Sequence, residues 1–390
     1  MFSFAKKKTK TVLVIDIGSS SVGAGISLIP LDPQSHELPI SVAFVRNTIP
    51  LKEHFDVVHF LETTLKYLDA TLQSLQHKTN LKPDTVQCVI SSPWFVSHAR
   101  TISYEELTPF ICTQKLFHSL VAQELQKITK DTTGDELIVI EQQIAQCSLN
   151  GYVTQSPFDK KASHMTINLC VTQSSKACIE RFNTLIRRFY GSVGISYTTT
   201  PFAIATVMQE QKIIKDSAMV IHVGEQLTDI GFIKNNSFLY QHSFPVGMYN
   251  LFHIMHESGV PRGQANTLLD GYQLGAIHNE KRLTVEESLR SFAKEWSGGF
   301  DTVLANGFFG FSAPSECVIL CDSRFAVFFQ STLTGHPLLR HNSAGAKLNC
   351  HFVTPDLFTN VVTTGPLNPK PDPVGLLVTV FSKLHHGTIL

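Results

Sequence analysis

The sequence predicts an α/β protein of two similar halves, with a smaller α+β module set inside the first half. Three observations predict it: a β-branched run at residues 11–17 followed by a glycine turn, a similar run at residues 219–223, and alternating apolar segments between them. A chain of 390 residues is long enough for two or three domains. Its 43% apolar and 16% charged residues exclude a disordered chain and a coiled coil.

Charge and cysteine content exclude further classes. Lys+Arg and Asp+Glu both number 32, which argues against a nucleic-acid binder driven by phosphate neutralisation. The eight cysteines lie in apolar stretches without a C-x-x-C pair, so we interpret them as buried thiols. No apolar run approaches the ~20 residues that span a bilayer, and we expect no direct membrane insertion. Lysines among residues 6–10 are interpreted as a solvated lead-in, with a weak patch for anionic lipid as the alternative.

The first half begins with a strand, a turn and a returning strand. Residues 11–17 are typical of a strand buried on both faces, and residues 22–29 predict its antiparallel partner after the turn. Apolar residues at helical spacing predict a helix over residues 55–75, and residues 86–90 predict the next strand.

The pattern changes from about residue 92 to residue 190. Helical spacing predicts a helix over residues 107–128, and residues 136–149 and 164–172 alternate as strands do. Residues 175–190 predict a helix, whose arginines at 181, 187 and 188 we interpret as a solvated face rather than a phosphate clamp. This segment therefore predicts an inserted α+β module.

The second half repeats the opening arrangement. Strands are predicted at residues 219–223, 229–234 and 237–244, and helices at 250–259 and 263–274. Thr284, with Glu287 three residues later, predicts a capped helix that runs to Trp296, so that the glycines at 298 and 299 end it. A strand at 317–320 and a last helix at 373–384 follow, while residues 333–372 give no clear pattern.

The two strand–turn–strand units align with each other. Asp16 aligns with His222, and Gly18 aligns with Gly224. A tight turn rich in Gly and Ser aims successive backbone N–H groups one way and forms an anion nest, and an Asp before the turn can hold a water on Mg²⁺. An ordinary β-turn explains one such unit equally well, but two copies in equivalent places favour the nest.

Several stretches of the sequence resemble motifs of one protein family. VLVIDIGSSSVGAGI resembles the first phosphate motif of the actin-like ATPase superfamily, and HVGEQLTDIGFIKNNSFLYQHSFPVG resembles the second. ELIVIEQQIAQCSLNGY and KASHMTINLCVTQSSKACIERFNTLIRRF resemble the inserted subdomain, called SHS2, of the branch that holds the cell-division protein FtsA and the pilus-assembly protein PilM. PVGLLVTVFSKLHHG resembles the closing helix of the first half. The resemblance covers about residues 10–330 and, more loosely, the tail.

The resemblance implies two actin-like (ribonuclease H-like) halves that face a cleft, with an SHS2-like insert. The first half would comprise residues 10–91 and 191–215, the insert 92–190 and the second half 216–345, with 346–390 returning to the first half. The cofactors implied are ATP and Mg²⁺, with Asp16 holding the metal through a water. The nucleotide-binding residues implied are Asp16, Gly18, Ser19, Ser20, Ser21, Gly224, Thr228 and Asp229.

The sequence departs from the family pattern at three places. The second motif, D-x-G-G-G-T-T-D in the family, here has His222 for the first acid and Glu225 and Gln226 for two glycines. A carboxylate at Glu225 would repel phosphates. The glycine pair of the adenosine motif is replaced by Cys321 and Asp322, and Asp270 lies near the place of a nucleotide-side lysine. We therefore expect weak ATP binding and, at most, weak hydrolysis.

Three classes of function follow. The favoured one is a cytoplasmic scaffold of the FtsA/PilM type, which recruits membrane-associated division or pilus components at the inner face of the membrane and reaches that membrane through a partner. Self-association into filaments stays open. The alternatives are an active Mg-ATP-dependent ATPase and a pure interaction module with a vestigial site.

Overall fold

The computed structural model describes residues 8–32, 35–50, 57–130, 136–307, 314–339 and 347–385. Lys6, Lys7 and Phe55, which enter the sequence predictions, lie outside these ranges. In chain order the strands are β1 (Thr9–Ile17), β2 (Ser21–Pro30), β3 (Ile40–Thr48), β4 (Thr85–Ile90), β5 (Val96–Ile111), β6 (Leu137–Leu149), β7 (Tyr152–Val153), β8 (Lys161–Ser175), β9 (Gly194–Thr199), β10 (Ala218–Val223), β11 (Thr228–Lys234), β12 (Ser237–Phe244), β13 (Glu316–Leu320), β14 (Asn349–Phe352) and β15 (Thr363–Thr364). The α-helices are α1 (Val57–Lys78), α2 (Gln114–Lys130), α3 (Lys176–Tyr190), α4 (Thr200–Glu210), α5 (Met248–Glu257), α6 (Ala265–Gln273), α7 (Asn279–Gly307), α8 (Ala326–Gly335) and α9 (Pro373–Leu384).

Two of the three sheets share one strand order. The first sheet runs β15-β3-β2-β1-β4-β9, and the second runs β12-β11-β10-β13-β14. In both, the opening strand pairs antiparallel with the next one and parallel with the strand that follows the first crossover. The predicted two-half architecture is therefore confirmed at the level of strand topology.

Helices α4 and α9 lie between the two large sheets. Val12 and Val14 of β1 and Val220 of β10 belong to one buried cluster with residues of both helices. The alternate residues of β1, Leu13 and Ile15, pack on the other face against α1 and α3. Because β1 is buried on both faces, its sequence is a continuous run of apolar residues.

The outer face of the second sheet is covered by α5, α6, α7 and α8, with Trp296 and Phe292 fully buried there. The third sheet, β5-β8-β6-β7, packs against α2 around its own core, which contains Met165 and Phe117. This sheet is the inserted α+β subdomain. It contacts the second half through Gln241 of β12, whose Nε2 donates to Thr172 Oγ1 at 2.8 Å.

Four local predictions were wrong. Residues 107–111 extend β5 instead of starting a helix, because Phe110 and Ile111 pair with β8. Thr284 lies inside α7, where its hydroxyl donates to Glu280 O, so it caps nothing. Gly298 and Gly299 also lie inside α7 rather than at its end. The expected return to the first half at residue 346 does not occur there. Strand β14 pairs with β13, so residues 349–352 lie in the second sheet, and the chain rejoins the first sheet only at β15.

All eight cysteines are free thiols; five are buried and Cys178, Cys321 and Cys350 are half-buried. Within the described ranges, no helix is both long enough and apolar enough to cross a membrane.

Candidate functional site

The two glycine hairpins meet. The Gly18 N–H donates to Ser21 O at 3.0 Å, and the Gly224 N–H donates to Leu227 O at the same distance. A Cβ added to Gly224 would lie 3.4 Å from Ser19 Oγ, and Ser19 is 4% exposed. The two turns therefore lie next to each other, with room for about one methyl group between Ser19 Oγ and Gly224.

Behind the first hairpin, one residue from each of three adjacent strands forms a row across the sheet. Asp16 of β1 is paired with Gly23 of β2, which is paired with Arg46 of β3. The Arg46 side chain crosses Gly23, and its Nη1 donates to Asp16 Oδ2 at 2.6 Å. A Cβ at Gly23 would lie 3.1 Å from Arg46 Nη2 and 2.6 Å from Phe44 Cζ. The glycine thus gives the arginine its path to Asp16.

Arg46 also reaches the last helix. Its Nε and Nη2 donate to the two oxygens of Asp372 at 2.7 and 3.0 Å, and Nη1 donates to Ser21 Oγ at 2.8 Å. Asp372 caps α9 by accepting from the N–H groups of Val374 and Gly375 at 3.0 and 2.9 Å. One guanidinium therefore joins β1, β3, the first hairpin and the start of α9.

The charges of this cluster shift its pKa values. Burial alone raises the pKa of Asp372, but the Arg46 charge, its hydrogen bonds and the capped N–H groups together lower it below its usual value. Burial alone lowers the pKa of Arg46, but Asp16 and Asp372 raise it above its usual value.

The sequence predicted Asp16 as a site residue but did not predict Arg46 or Asp372, which complete the cluster. Asp372 before Pro373 was a readable N-cap signal, whereas Arg46 needed the strand register.

The second half has a row at the same place with different chemistry. His222 of β10 is paired with Asp229 of β11, which is paired with Ser243 of β12. Asp229, 2% exposed, accepts from Ser243 Oγ at 2.7 Å and from the Ser92 N–H at 3.2 Å, and His222 Nδ1 lies 3.4 Å away. Ser92 follows β4, so this carboxylate joins the two halves.

Thr228 lies in the core. It is fully buried, its hydroxyl donates to Val246 O at 2.7 Å, and it accepts from Trp296 Nε1 at 3.1 Å. The structure therefore does not bring Thr228 onto the facing surface of the hairpins, where Ser19 and Gly224 lie.

The second hairpin presents its carbonyl groups to α5. Gly224 O and Glu225 O accept from the N–H groups of Met248 and Tyr249 at 3.0 and 2.7 Å. Burial, with a smaller contribution from Asp322 and against the opposing charge of Arg324, raises the pKa of the Glu225 carboxyl to about 7. This hairpin thus carries a half-buried acid where the family has glycine.

An ion network lies after β13, at the place of the implied adenosine motif. Arg324 Nη2 lies 2.6 Å from Asp322 Oδ2, and its Nη1 lies 3.1 Å from Asp270 Oδ1 and 3.0 Å from Asn266 Oδ1. Sequence reasoning named Asp322 and Asp270 but missed Arg324, which ties the loop to α6.

These contacts bear on whether Mg-ATP, which the family resemblance implies, fits at the two hairpins. The acid expected to hold Mg²⁺, Asp16, is ion-paired with Arg46, and Glu225, whose pKa is raised to about 7, places an acid that is half-ionised near neutral pH at the second hairpin. The place of the base holds the Arg324 network. As they stand, these residues oppose Mg-ATP binding at three places, and the nucleotide-binding roles of residues 16–21 and of Gly224, Thr228 and Asp229 stay predictions. Across the described residues, no group of three or more His, Cys, Asp and Glu side chains could hold a metal.

A groove of about 850 Å³ lies elsewhere, between the C-terminal ends of α1 and α3. Its lining combines His77 and Lys82 with Leu81, Phe189 and Tyr190. Burial raises the pKa of Tyr190 to about 12.

Two solvent-exposed ion pairs join the two helices beside this groove. Arg181 Nη1 lies 2.6 Å from Glu62 Oε1, and Arg188 pairs with Asp69. These arginines of α3 therefore contact α1.

The comparisons with known proteins agree with the fold. No protein-family model matches the chain, and no curated protein matches its sequence. Among solved structures, a chain of a PilM–PilN type IV pilus biogenesis complex is similar over 96% of this chain and 97% of its own, with a TM-score of 0.62 and 13% identity.

Two further structures are similar with lower scores. One is the ethanolamine utilization protein EutJ from Carboxydothermus hydrogenoformans, with a TM-score of 0.44, 10% identity, and coverage of 98% of this chain and 92% of its own. The other is a Bacteroides thetaiotaomicron protein of unknown function with an actin-like ATPase fold, with a TM-score of 0.38, 12% identity, and coverage of 97% and 99%. With the shared strand order of its two halves and its inserted subdomain, the chain has the actin-like ATPase fold.

Proposed function

We propose that this protein is a scaffold that works by binding a membrane-anchored partner, and that its cleft is held closed by its own side chains rather than by a nucleotide. In this proposal the protein is cytoplasmic and reaches the inner face of the membrane through that partner. The observation that carries the proposal is the ion pair of Asp16 with Arg46, because it occupies the acid that a Mg-nucleotide would need.

Three contacts support a cleft that works without nucleotide. Arg46 binds Asp372 as well as Asp16, Asp229 binds Ser92 across the halves, and the Arg324 network fills the place of the base. Of these contacts, the Asp229–Ser92 hydrogen bond joins the two halves, whereas the Arg46 cluster lies within the first half and the Arg324 network within the second. In this proposal the two arginines fill the places of metal and base inside each half, Asp229 links the halves, and ATP has no structural task left here.

The partner-binding part of the proposal rests on the PilM–PilN similarity and on the groove between α1 and α3. In that similar structure, PilM forms a complex with PilN in type IV pilus biogenesis. The lining of the groove includes the apolar side chains of Leu81 and Phe189 beside His77 and Lys82. A short amphipathic or acidic segment from a membrane protein matches this chemistry.

Nucleotide binding is tested by the melting temperature with and without Mg-ATP. A ligand at one hundred times its dissociation constant stabilises a protein by about 2.7 kcal/mol, which is a readily measured shift. We expect no shift for the wild-type protein at millimolar Mg-ATP. A strong shift that Asp16→Ala abolishes would contradict the nucleotide-free cleft and support the alternative, an active Mg-ATP-dependent ATPase.

Partner binding is tested by a photoreactive phenylalanine at Leu81 in the groove, with the same residue at Leu283 on α7 as the control. Both leucines are exposed, at 42% and 56%. In the native cell we expect an adduct at position 81 with the cytoplasmic segment of a membrane-anchored protein, identified by peptide mass spectrometry. Equal adducts at both positions, or adducts with soluble proteins alone, would contradict the docking site.

A further inference from the structure

The Arg46 guanidinium lies between two carboxylates that come from opposite ends of the chain. Asp16 and Asp372 contribute oxygens at 2.6, 2.7 and 3.0 Å from its nitrogens, and Ser21 contributes a hydroxyl at 2.8 Å. The side chains of Arg46, Asp16 and Asp372 are 26%, 8% and 19% exposed. The two carboxylates thus contact different nitrogens of one half-buried guanidinium, whose positive charge offsets the repulsion between them.

The oxygens around Arg46 are those that a hard divalent cation also takes. Mg²⁺ is held in proteins by one or two carboxylates and keeps several waters, and hydroxyl oxygens are suitable additional ligands. A guanidinium instead supplies a permanent positive charge and a planar fork of donors. The Asp16–Arg46–Asp372 cluster therefore offers oxygen ligands of the kind that a divalent cation takes, with an organic cation between them. Because the two carboxylates contact different edges of the guanidinium, a metal in its place would reach at least one of them through a water.

We propose that Asp16, Ser21 and Asp372 form a cation site whose occupant is the guanidinium of Arg46, in place of a hard divalent cation such as Mg²⁺ or Mn²⁺. The inference rests on the same Asp16–Arg46 ion pair as the proposed function and deepens it by naming what that ion pair replaces. It does not depend on the partner or the groove.

Two features of the fold support this assignment. Gly23, the residue between Asp16 and Arg46 in the strand row, leaves the path along which the guanidinium reaches the acid. The bidentate contact to Asp372 fixes the first turn of α9 to the first hairpin. Because an arginine stays charged at every physiological pH, this link is permanent, whereas a metal-held link depends on metal concentration.

The test compares Mn²⁺ binding, measured by electron paramagnetic resonance, for the wild-type protein, Arg46→Ser and Arg46→Ser/Asp16→Asn. We expect no Asp16-dependent Mn²⁺ site in the wild type. Arg46→Ser should bind one Mn²⁺ with a dissociation constant of about 10⁻⁴ to 10⁻³ M, the range of weak oxygen-ligand sites. At ten times that concentration its melting temperature should rise by about 2 °C. The double variant should lose both effects.

Two results would overturn the proposal. One is a Mn²⁺ site in the wild-type protein that Asp16→Asn removes. The other is an Arg46→Ser protein with the wild-type circular dichroism spectrum and no Mn²⁺ site. If Arg46→Ser does not fold, Arg46→Lys decides, because an ammonium keeps the internal charge: an Asp16-dependent Mn²⁺ site in that variant contradicts the proposal, and its absence there and in the wild type supports it.

Discussion

The two halves place one row of three residues behind each hairpin, but the rows differ in where the carboxylate lies. In the first half the acid is on the opening strand, and it reaches Arg46 across a glycine. In the second half the acid is on the middle strand, Asp229, and its neighbours His222 and Ser243 stand on either side. Backbone pairing and turn hydrogen bonds are the same in both.

The difference shows that one backbone unit serves two structural tasks. The first row ties the hairpin to α9 by an ion pair with Asp372. The second row ties the second half to the first, since Asp229 accepts from the Ser92 N–H after β4. In both halves the acid behind the hairpin contacts protein groups: Asp16 contacts Arg46 within the first half, and Asp229 contacts Ser92 across the halves.

The largest effect is expected from breaking the second row with Asp229→Ala. The change leaves the buried Ser92 N–H without its acceptor and removes the acceptor of Ser243, so the free energy of unfolding should fall by about 3 kcal/mol. The shift of the urea midpoint at an unchanged slope measures it. Asp216→Ala, at an exposed position, is the control and should stay within about 0.5 kcal/mol. Equal shifts for both variants would show that Asp229 does not hold the halves together.

A smaller effect is expected from Gly23→Ala in the first row. Its methyl group would lie 2.6 Å from Phe44 Cζ and 3.1 Å from Arg46 Nη2. The Phe44 ring cannot move away easily, because it also packs closely on Gly25 and Gly375. We expect a loss of about 2 kcal/mol from overpacking, measured by chemical denaturation.

Gly194→Ala is the matched control for that change. Gly194 lies in β9 of the same sheet, and an added Cβ there meets no atom within 4 Å. It should be neutral or slightly stabilising. A destabilisation as large as that of Gly23→Ala would assign the effect to glycine in strands generally, and not to the path of Arg46.

Much of the fold was predictable because its signals are local. The continuous apolar run of β1 and the turn at Gly18 reflect burial on both faces and a tight hairpin, and the same pattern returns at Gly224. The start of α2 was not predictable in this way. Residues 107–111 have helical spacing, but pairing of β5 with β8 overrides it.

The candidate site was only partly predictable. Asp16 and the hairpins are motif residues, whereas Asp372 is separated from Arg46 by 326 positions, and no local pattern connects them. The Arg46 contact to Asp16 follows from the strand register, which the sequence alone does not fix. Arg324 was missed because its partners on α6 are more than fifty residues away.

The smallest effect, and the one that depends on pH, concerns the hairpin position where the first half has Ser19 and the second has Glu225. Burial raises the pKa of Glu225 from 4.5 to about 7, with Asp322 adding to the shift and Arg324 opposing it. The folded protein therefore binds more protons than the unfolded chain between these values. The stabilisation from the protonated carboxyl is complete below about pH 4.5 and is lost as the pH rises through 7.

Replacing the acid by the residue of the first hairpin, Glu225→Ser, should remove this pH dependence. Above pH 7 the variant should be more stable than the wild type by about 1–2 kcal/mol, because a half-buried charge is gone, and below pH 4.5 the gain should vanish. Urea midpoints of both proteins at pH 4.5 and pH 8 measure it, and the difference between them cancels the other titrating groups. Glu225→Gln keeps the side-chain size without the charge and should follow the same trend. A gain that is equal at both pH values, or that only the serine variant shows, would assign the effect to side-chain size and leave the two hairpins electrostatically alike.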